Sequence, residues 1–277
     1  MKVVVSELNL YPIKGCRGFS VGNARLPVTG LEVDGIGDRE WVVVDAEGEF
    51  LSQREYPRMA LIETRFVGET LRLKAPGMLA LEVPFASEGD VVDVRVWDDK
   101  VAAVTQGRIA DAWFSSFLGV TAQLVRFDPE GRRIAKQKYT GKVEAPYKFA
   151  DAFPLLITAQ ASLADVNARL EKRRERPVTM TRFRPNIVLD GLPAFEEDYI
   201  KELRRGELAL RPVKPCARCT VPGVDPATGA ASTTVPDLLA AFRGTQDGVL
   251  FGVNAIVVDG AGATLAAGDE FTVELRF

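Results

Sequence analysis

The sequence contains no histidine among its 277 residues. That removes the commonest general acid–base group and the commonest metal ligand, so any catalysis falls to carboxylates, thiols, cations or a bound cofactor. Cysteine is scarce as well, with three in the chain. Three cysteines without histidine do not make up the four ligands of a structural zinc site. An odd number suits a reducing compartment, and the expected location is the cytoplasm. Long apolar runs are missing: the N-terminus offers only Val3, Val4 and Val5 before Ser6 and Glu7, so neither a signal peptide nor a membrane anchor is expected. Nor is there a charge excess, the net charge being −3, which implies no general affinity for nucleic acid or anionic membranes. Internal repeats, low-complexity tracts and heptads are absent. The length suggests a sizeable core and two domains.

What is present centres on residues 208–225, which carry Cys216 and Cys219 in Lys-Pro-Cys-Ala-Arg-Cys. Leu208, Leu210 and Pro212 alternate with Ala209, Arg211 and Val213 and read as a strand. Thr220-Val-Pro-Gly-Val-Asp-Pro-Ala-Thr-Gly follows, with two prolines and two glycines, and no helix is expected to start there. Both thiols are therefore expected on a loop at a strand end, with Lys214 or Arg218 beside each. A thioredoxin-like pair needs its thiols at a helix start, which the prolines disfavour. A disulfide between near neighbours and two half-buried thiols at a turn both remain open. So does the preferred reading: one exposed thiolate, favoured by Arg218 and Lys214, that ligates a soft metal or acts as a nucleophile.

The rest of the chain reads as short strands punctuated by turns. Strands are expected at 2–10, 41–45, 50–53, 60–66, 71–74, 79–83, 91–97 and 101–105, a barrel-like or sandwich-like spacing. A helix with apolar residues at 109, 113, 114, 117 and 118 ends at Gly119, and a strand follows at 122–127. Residues 128–149 are polar and aperiodic and read as a long exposed loop near the mouth of the site. Strands are expected at 154–157, 186–189, 249–258 and 271–277. A helix capped by Thr158 or Ser162 is expected to run to Arg173, its N-terminus offering an anion site, and another is expected at 238–242 behind Pro236. Pro185 is expected to hold Arg184 extended, so that Arg184 and Asn186 face one polar ligand from the same side of a strand. The domains are placed at 1–105 and 106–277.

The cysteine loop, Cys216-Ala-Arg-Cys219 followed by Val224-Asp-Pro-Ala-Thr-Gly229, resembles that of the MOSC family, in the branch of the amidoxime-reducing components. Tyr11-Pro-Ile-Lys-Gly-Cys-Arg-Gly, Gly37-Asp-Arg-Glu-Trp and Ser52-Gln-Arg-Glu-Tyr-Pro-Arg resemble its N-terminal domain. Phe183-Arg-Pro-Asn-Ile-Val and Leu250-Phe-Gly-Val-Asn resemble its C-terminal domain. The resemblance implies a mainly β fold with a few helices, an N-terminal β-barrel packed on a C-terminal MOSC β-barrel. It implies a molybdenum cofactor, molybdopterin with Mo, ligated by Cys219, while Cys216 and Cys16 have no assigned chemistry. Lys14 and Arg39 are implied in phosphate or pterin contacts, with Arg54 and Arg58 less directly. Arg184, Asn186, Arg218 and Asn254 complete the implied pocket. Thr158 and Ser162 are candidates through their place at a helix N-terminus, and Asp225 is expected to shape the turn through its side chain, with substrate contact as the alternative. The implied activity is reduction of N-hydroxylated compounds such as amidoximes, hydroxylamines and N-hydroxylated bases. Electrons would come from a separate donor, a ferredoxin or a flavin/haem protein, because no appended ferredoxin domain is expected. Pyridoxal phosphate binding is a further family-level association. The alternatives are a cofactor carrier or sulfur-transfer protein using Cys219 as ligand or persulfide, and a non-catalytic β-rich binding module.

Overall fold

The structure is a computed structural model describing residues 1–86 and 88–276. Seven strands close into a ring in the order Leu155–Ala159, Ile187–Asp190, Lys2–Leu10, Glu270–Leu275, Ile200–Arg205, Leu208–Ala217 and Gly248–Asp259, the last pairing back on the first. Every pairing in the ring is antiparallel except Leu155–Ala159 with Ile187–Asp190. That parallel pair needs a crossover, which helix Gln160–Lys172 provides. Alternating residues fill the interior, among them Val3, Val5, Leu8, Ile157, Leu189, Leu203, Leu210, Val253, Val257 and Phe271. The first strand of the chain therefore lies inside the barrel built by its C-terminal half.

Phe19–Val21 pairs with the first strand, and most other N-terminal strands form smaller sheets. Val91–Val96, Asp99–Thr105, Gln123–Phe127 and Trp41–Val44 make one; Glu63–Val67, Thr70–Lys74 and Leu81–Pro84 make another. Helix Arg108–Leu118 buries Trp113, Phe114 and Phe117 against their core and ends on Gly119 in the left-handed conformation. The fold is mainly β with four α-helices among the described residues.

Several sequence expectations are corrected. The loop after Cys219 opens with a short 3-10 turn, Val221–Gly223, with Pro222 in its first positions, where a missing N–H costs nothing. Cys216 lies in the strand rather than on the loop. Residues 57–61 form a 3-10 turn begun by Pro57, so the expected strand at 60–66 starts only at Glu63. The helix expected at 238–242 spans Thr234–Arg243 with Pro236 inside its first turn. Residues 128–149 are not an exposed loop: Arg133, Ala135, Ala145, Tyr147 and Phe149 are buried, and Gln137–Thr140 is a helical turn. Their apolar residues pack singly, partly on Ile256, so no periodicity announced them. The late strand is Glu270–Leu275, and Phe277 lies outside the described residues.

Candidate functional site

The cysteine strand Leu208–Ala217 has two neighbours only at its start. Ile200–Arg205 pairs with Leu208, Ala209 and Leu210, and beyond them Gly248–Asp259 is the one partner. Pro212 and Pro215 fall in this second part, where one side of the strand needs no ladder hydrogen bonds. Register shifts between Pro212 and Lys214 and between Pro215 and Ala217 mark bulges. Bulges re-aim side chains, and here they turn the end of the strand toward a cavity of about 250 Å³ that Lys214, Cys216, Arg218 and Cys219 line. Cys219 is exposed, Cys216 half-buried and Cys16 buried. Burial pushes the Cys16 thiol up to about 12, which leaves it inert.

The other walls come from distant parts of the chain. Lys14, Arg39 and Arg54 arrive from the N-terminal half, Arg184 and Asn186 from the turn after Met180–Arg182, and Asn254 from strand Gly248–Asp259. Arg39 and Arg184 both have left-handed backbones, with φ of 48° and 59°. The expectation of an extended Arg184 therefore fails. The left-handed turn instead brings its guanidinium over the Tyr11 ring at 4.4 Å, with Arg39 over the same ring at 4.3 Å. Arg39 Nη2 donates to the Arg184 carbonyl at 3.0 Å, and Arg184 Nη1 donates to the Cys16 carbonyl at 2.7 Å. Arg218 Nη1 donates to Cys216 Sγ at 3.3 Å and Nη2 to the Phe183 carbonyl at 2.9 Å. Arg218 thus contacts Cys216, not the Cys219 thiol.

Three further cavity residues, Asp151, Gln53 and Trp97, were not singled out in the sequence. Asp151 accepts from Lys14 Nζ and, at 3.0 Å, from Trp97 Nε1. Burial lowers the Lys14 ammonium, which Asp151 partly offsets. Partial desolvation acts to raise the Asp151 carboxyl, although its side chain is exposed, and Lys14 and the Trp97 N–H outweigh it and hold the group well below the usual carboxylate range. Asp151 belongs to no motif. Gln53, whose Nε2 donates to the Gly15 carbonyl at 2.6 Å, directly precedes Arg54, which was singled out. Trp97 carried one signal, a bulky residue at a two-residue hairpin turn where Asn or Gly is favoured.

Eight of the expected site residues line the cavity: Lys14, Arg39, Arg54, Arg184, Asn186, Arg218, Cys219 and Asn254. Asn186 is fixed by the Leu156 N–H at 3.1 Å and by its own donation to the Asn9 carbonyl at 3.3 Å. Asn254 donates to the Lys214 carbonyl at 3.3 Å. Three expected residues do not line it. Arg58 lies over the Phe117 ring, 4.5 Å from its centroid. Thr158 is buried within its strand, its hydroxyl 3.3 Å from Met180 Sδ. Ser162 donates to Glu197 Oε2 at 2.7 Å and accepts from the Phe195 N–H at 2.8 Å. Ala159, not Thr158 or Ser162, is the cap residue, and its N–H reaches Glu197 Oε1 at 3.3 Å. The protein's own carboxylate therefore occupies the expected anion site at this helix end.

Arg184 and Arg218, both on the cavity wall, each keep one buried nitrogen, Nη2 and Nε, without a hydrogen-bond partner in the structure. Buried donors are ordinarily satisfied, so this wall is built for an anionic or strongly accepting ligand. An exposed thiol beside it adds one soft donor. No cluster of three or more acidic or thiol ligands exists among the described residues. The donor set thus fits a metal that brings most of its own ligands and an anionic tail, as the molybdenum cofactor does. No helix among the described residues is long and apolar enough to cross a membrane.

Comparison with known proteins gives the same picture. The MOSC N-terminal beta barrel domain matches residues 2–121 and the MOSC domain residues 144–272. The chain is 36% identical to mitochondrial amidoxime reducing component 2 of Bos taurus over 86% of its own length and 72% of that protein's. It is 35% identical to component 1 of Mus musculus over 86% and 71%. The solved YUAD protein of Bacillus subtilis is similar at 11% identity and a TM-score of 0.46, covering 100% of this chain and 98% of that one, and carries no argument. The association with pyridoxal phosphate gains no support from these matches. The chain belongs to the MOSC family, in the branch that joins the N-terminal barrel domain to the MOSC domain and includes the amidoxime-reducing components.

Proposed function

We propose that the protein binds a molybdenum cofactor through Cys219 and reduces N-hydroxylated compounds with electrons from a separate donor protein. The observation that carries this reading is the cavity itself: an exposed thiol facing a wall of cations with two unfilled buried donors. The names of the relatives point to the same reaction class.

Cys219 is the metal ligand. Arg184, Arg218, Arg39 and Lys14 hold the phosphate and the polar pterin edge through charge and directed N–H groups. Bound there, the cofactor supplies a soft metal centre that exchanges electrons in pairs and accepts oxygen. The chain supplies the rest. Phe50, Trp97 and Phe153 line the cavity and exclude water from part of it. Asn186 and Asn254, both pinned by backbone partners, present fixed amide dipoles. With no histidine available, Lys14 Nζ is the buried proton-holding group at the site, and Asp151 keeps it in place.

Protein purified from a cofactor-competent host is expected to hold stoichiometric molybdenum and to reduce benzamidoxime with a reduced dye. Cys219→Ser is expected to lose metal and activity together, while Cys216→Ser keeps its metal. Elemental analysis beside the assay checks both. A preparation from such a host without molybdenum or tungsten refutes the reading. Labile sulfur on Cys219 without turnover makes the protein a carrier instead.

A further inference from the structure

Trp97 is in a backbone conformation that its side chain disfavours. It begins the two-residue turn between Val91–Val96 and Asp99–Thr105 with φ of +58°, in the left-handed region. Such hairpin turns favour Asn, Asp or Gly, and a bulky residue there is a genuine outlier. Burial does not explain the choice, because the side chain is 42% exposed. An outlier held by its surroundings is grounds for seeking a functional role.

The surroundings hold the indole firmly. Its Nε1 donates to Asp151 at 3.0 Å. The Phe50 ring meets it edge-on, with centroids 4.8 Å apart and planes at 63°. The Arg54 guanidinium carbon lies 4.3 Å from the ring centroid. Trp97, Phe50 and Arg54 all line the cavity that Cys219 opens into. An aromatic ring paired with a guanidinium, both immobilised before any ligand arrives, is a surface for a flat, conjugated molecule.

We propose that Trp97, with Arg54 over it, is the substrate-selecting ledge of the site, receiving the flat conjugated part of an N-hydroxylated compound and favouring planar substrates over compact aliphatic ones. The proposal rests on the reductase reading above. The rival role for Trp97 is to position Asp151 through its N–H alone, and ring and N–H can be separated by mutation.

The experiment uses the cofactor-loaded protein, wild type, Trp97→Phe and Trp97→Asn. Phenylalanine keeps a ring and loses the N–H. Asparagine loses the ring but suits the left-handed turn, so the hairpin is retained. Metal content and melting temperature are measured for each. The values of kcat and KM are then compared for benzamidoxime and for N-methylhydroxylamine. Trp97→Asn is expected to raise the KM for benzamidoxime roughly tenfold more than that for N-methylhydroxylamine, a stacking-sized effect, with the loss in KM rather than kcat. Trp97→Phe is expected to retain most of the preference. Equal losses on both substrates overturn the proposal, as does a Trp97→Phe enzyme impaired as badly as Trp97→Asn. If the wild type reduces neither compound, the reductase reading falls, and calorimetric binding of benzamidoxime without reductant decides the ledge. Binding weakened roughly tenfold in Trp97→Asn and kept in Trp97→Phe upholds it; binding indifferent to residue 97 overturns it.

Discussion

Glu197 shows how far one side chain's environment can depart from its sequence. It is fully buried and sits at the N-terminal end of helix Gln160–Lys172, accepting from Ala159 N–H and the Ser162 hydroxyl. Burial pushes its carboxyl up to about 7, and Asp198 beside it adds to the rise, while the Ser162 and backbone hydrogen bonds oppose it. An unfolded glutamate titrates at about 4.3. Between those values the native state binds more protons than the unfolded chain, so stability falls as pH rises through the window and levels off above it. Glu197→Gln removes this slope. Relative to wild type, the variant is expected to gain on the order of 2 kcal/mol between pH 5 and pH 8. Urea denaturation at both pH values checks it, and parallel wild-type and variant curves contradict it. Nothing around residue 197 in the sequence marks it: Phe195-Glu-Glu-Asp-Tyr reads as a solvated acidic run, and only the helix end placed over it makes it a buried cap.

At the scale of elements, what the sequence shows and what it hides divide cleanly. Val91–Val96 alternates and both expected strands form, but the turn falls at Trp97-Asp98, so the strand expected at 91–97 stops before Trp97 and the one expected at 101–105 already begins at Asp99. Segment 128–149 has no pattern, yet it is anchored. Arg133, 6% exposed, donates to the carbonyls of Lys148 at 2.6 Å and Ala150 at 3.0 Å, and to Asp99 at 2.6 Å. This clamp sets the path of the backbone into Asp151, and through Asp151 the place of Lys14. Arg133→Ala leaves those carbonyls unpartnered and is expected to cost on the order of 2 kcal/mol. It is also expected to speed proteolysis within 128–151 and to lower metal retention. Cleavage at the wild-type rate shows that the segment is held by other contacts. A clamp of this kind escapes sequence reading because one arginine in a basic stretch looks like any other. Its three partners lie up to 34 residues away.

Across the whole molecule, the cavity exists only because both halves close on it. Lys14, Arg39 and Arg54 face Arg184, Arg218 and Cys219 across a space that neither half encloses alone. A ligand that binds only this assembled state stabilises it by mass action, by about 2.7 kcal/mol when its free concentration is a hundredfold above Kd. Cofactor-loaded protein is therefore expected to melt above protein from a cofactor-deficient host, and Cys219→Ser is expected to narrow the gap. Calorimetry of the four preparations checks this. Equal melting temperatures for loaded and cofactor-free wild type place the cofactor outside the cavity.

The sequence by itself determined most of the short β strands, though not the one expected at 50–53, where only Phe50 bridges to Val44. It also determined the helix ending at Gly119, the thiol in a proline- and glycine-punctuated loop, and the cations set in turns. Each of these depends on periodicity or turn chemistry acting over a few residues. The tertiary structure alone decided that the first strand completes a barrel made by the C-terminal half of the chain. It alone decided that Glu197 fills the helix end expected to bind an outside anion, that Arg184 turns left-handed onto Tyr11, and that Trp97 and Asp151 join the site. Those outcomes depend on burial and on contacts between residues far apart in the chain, and no local pattern encodes which distant groups will meet.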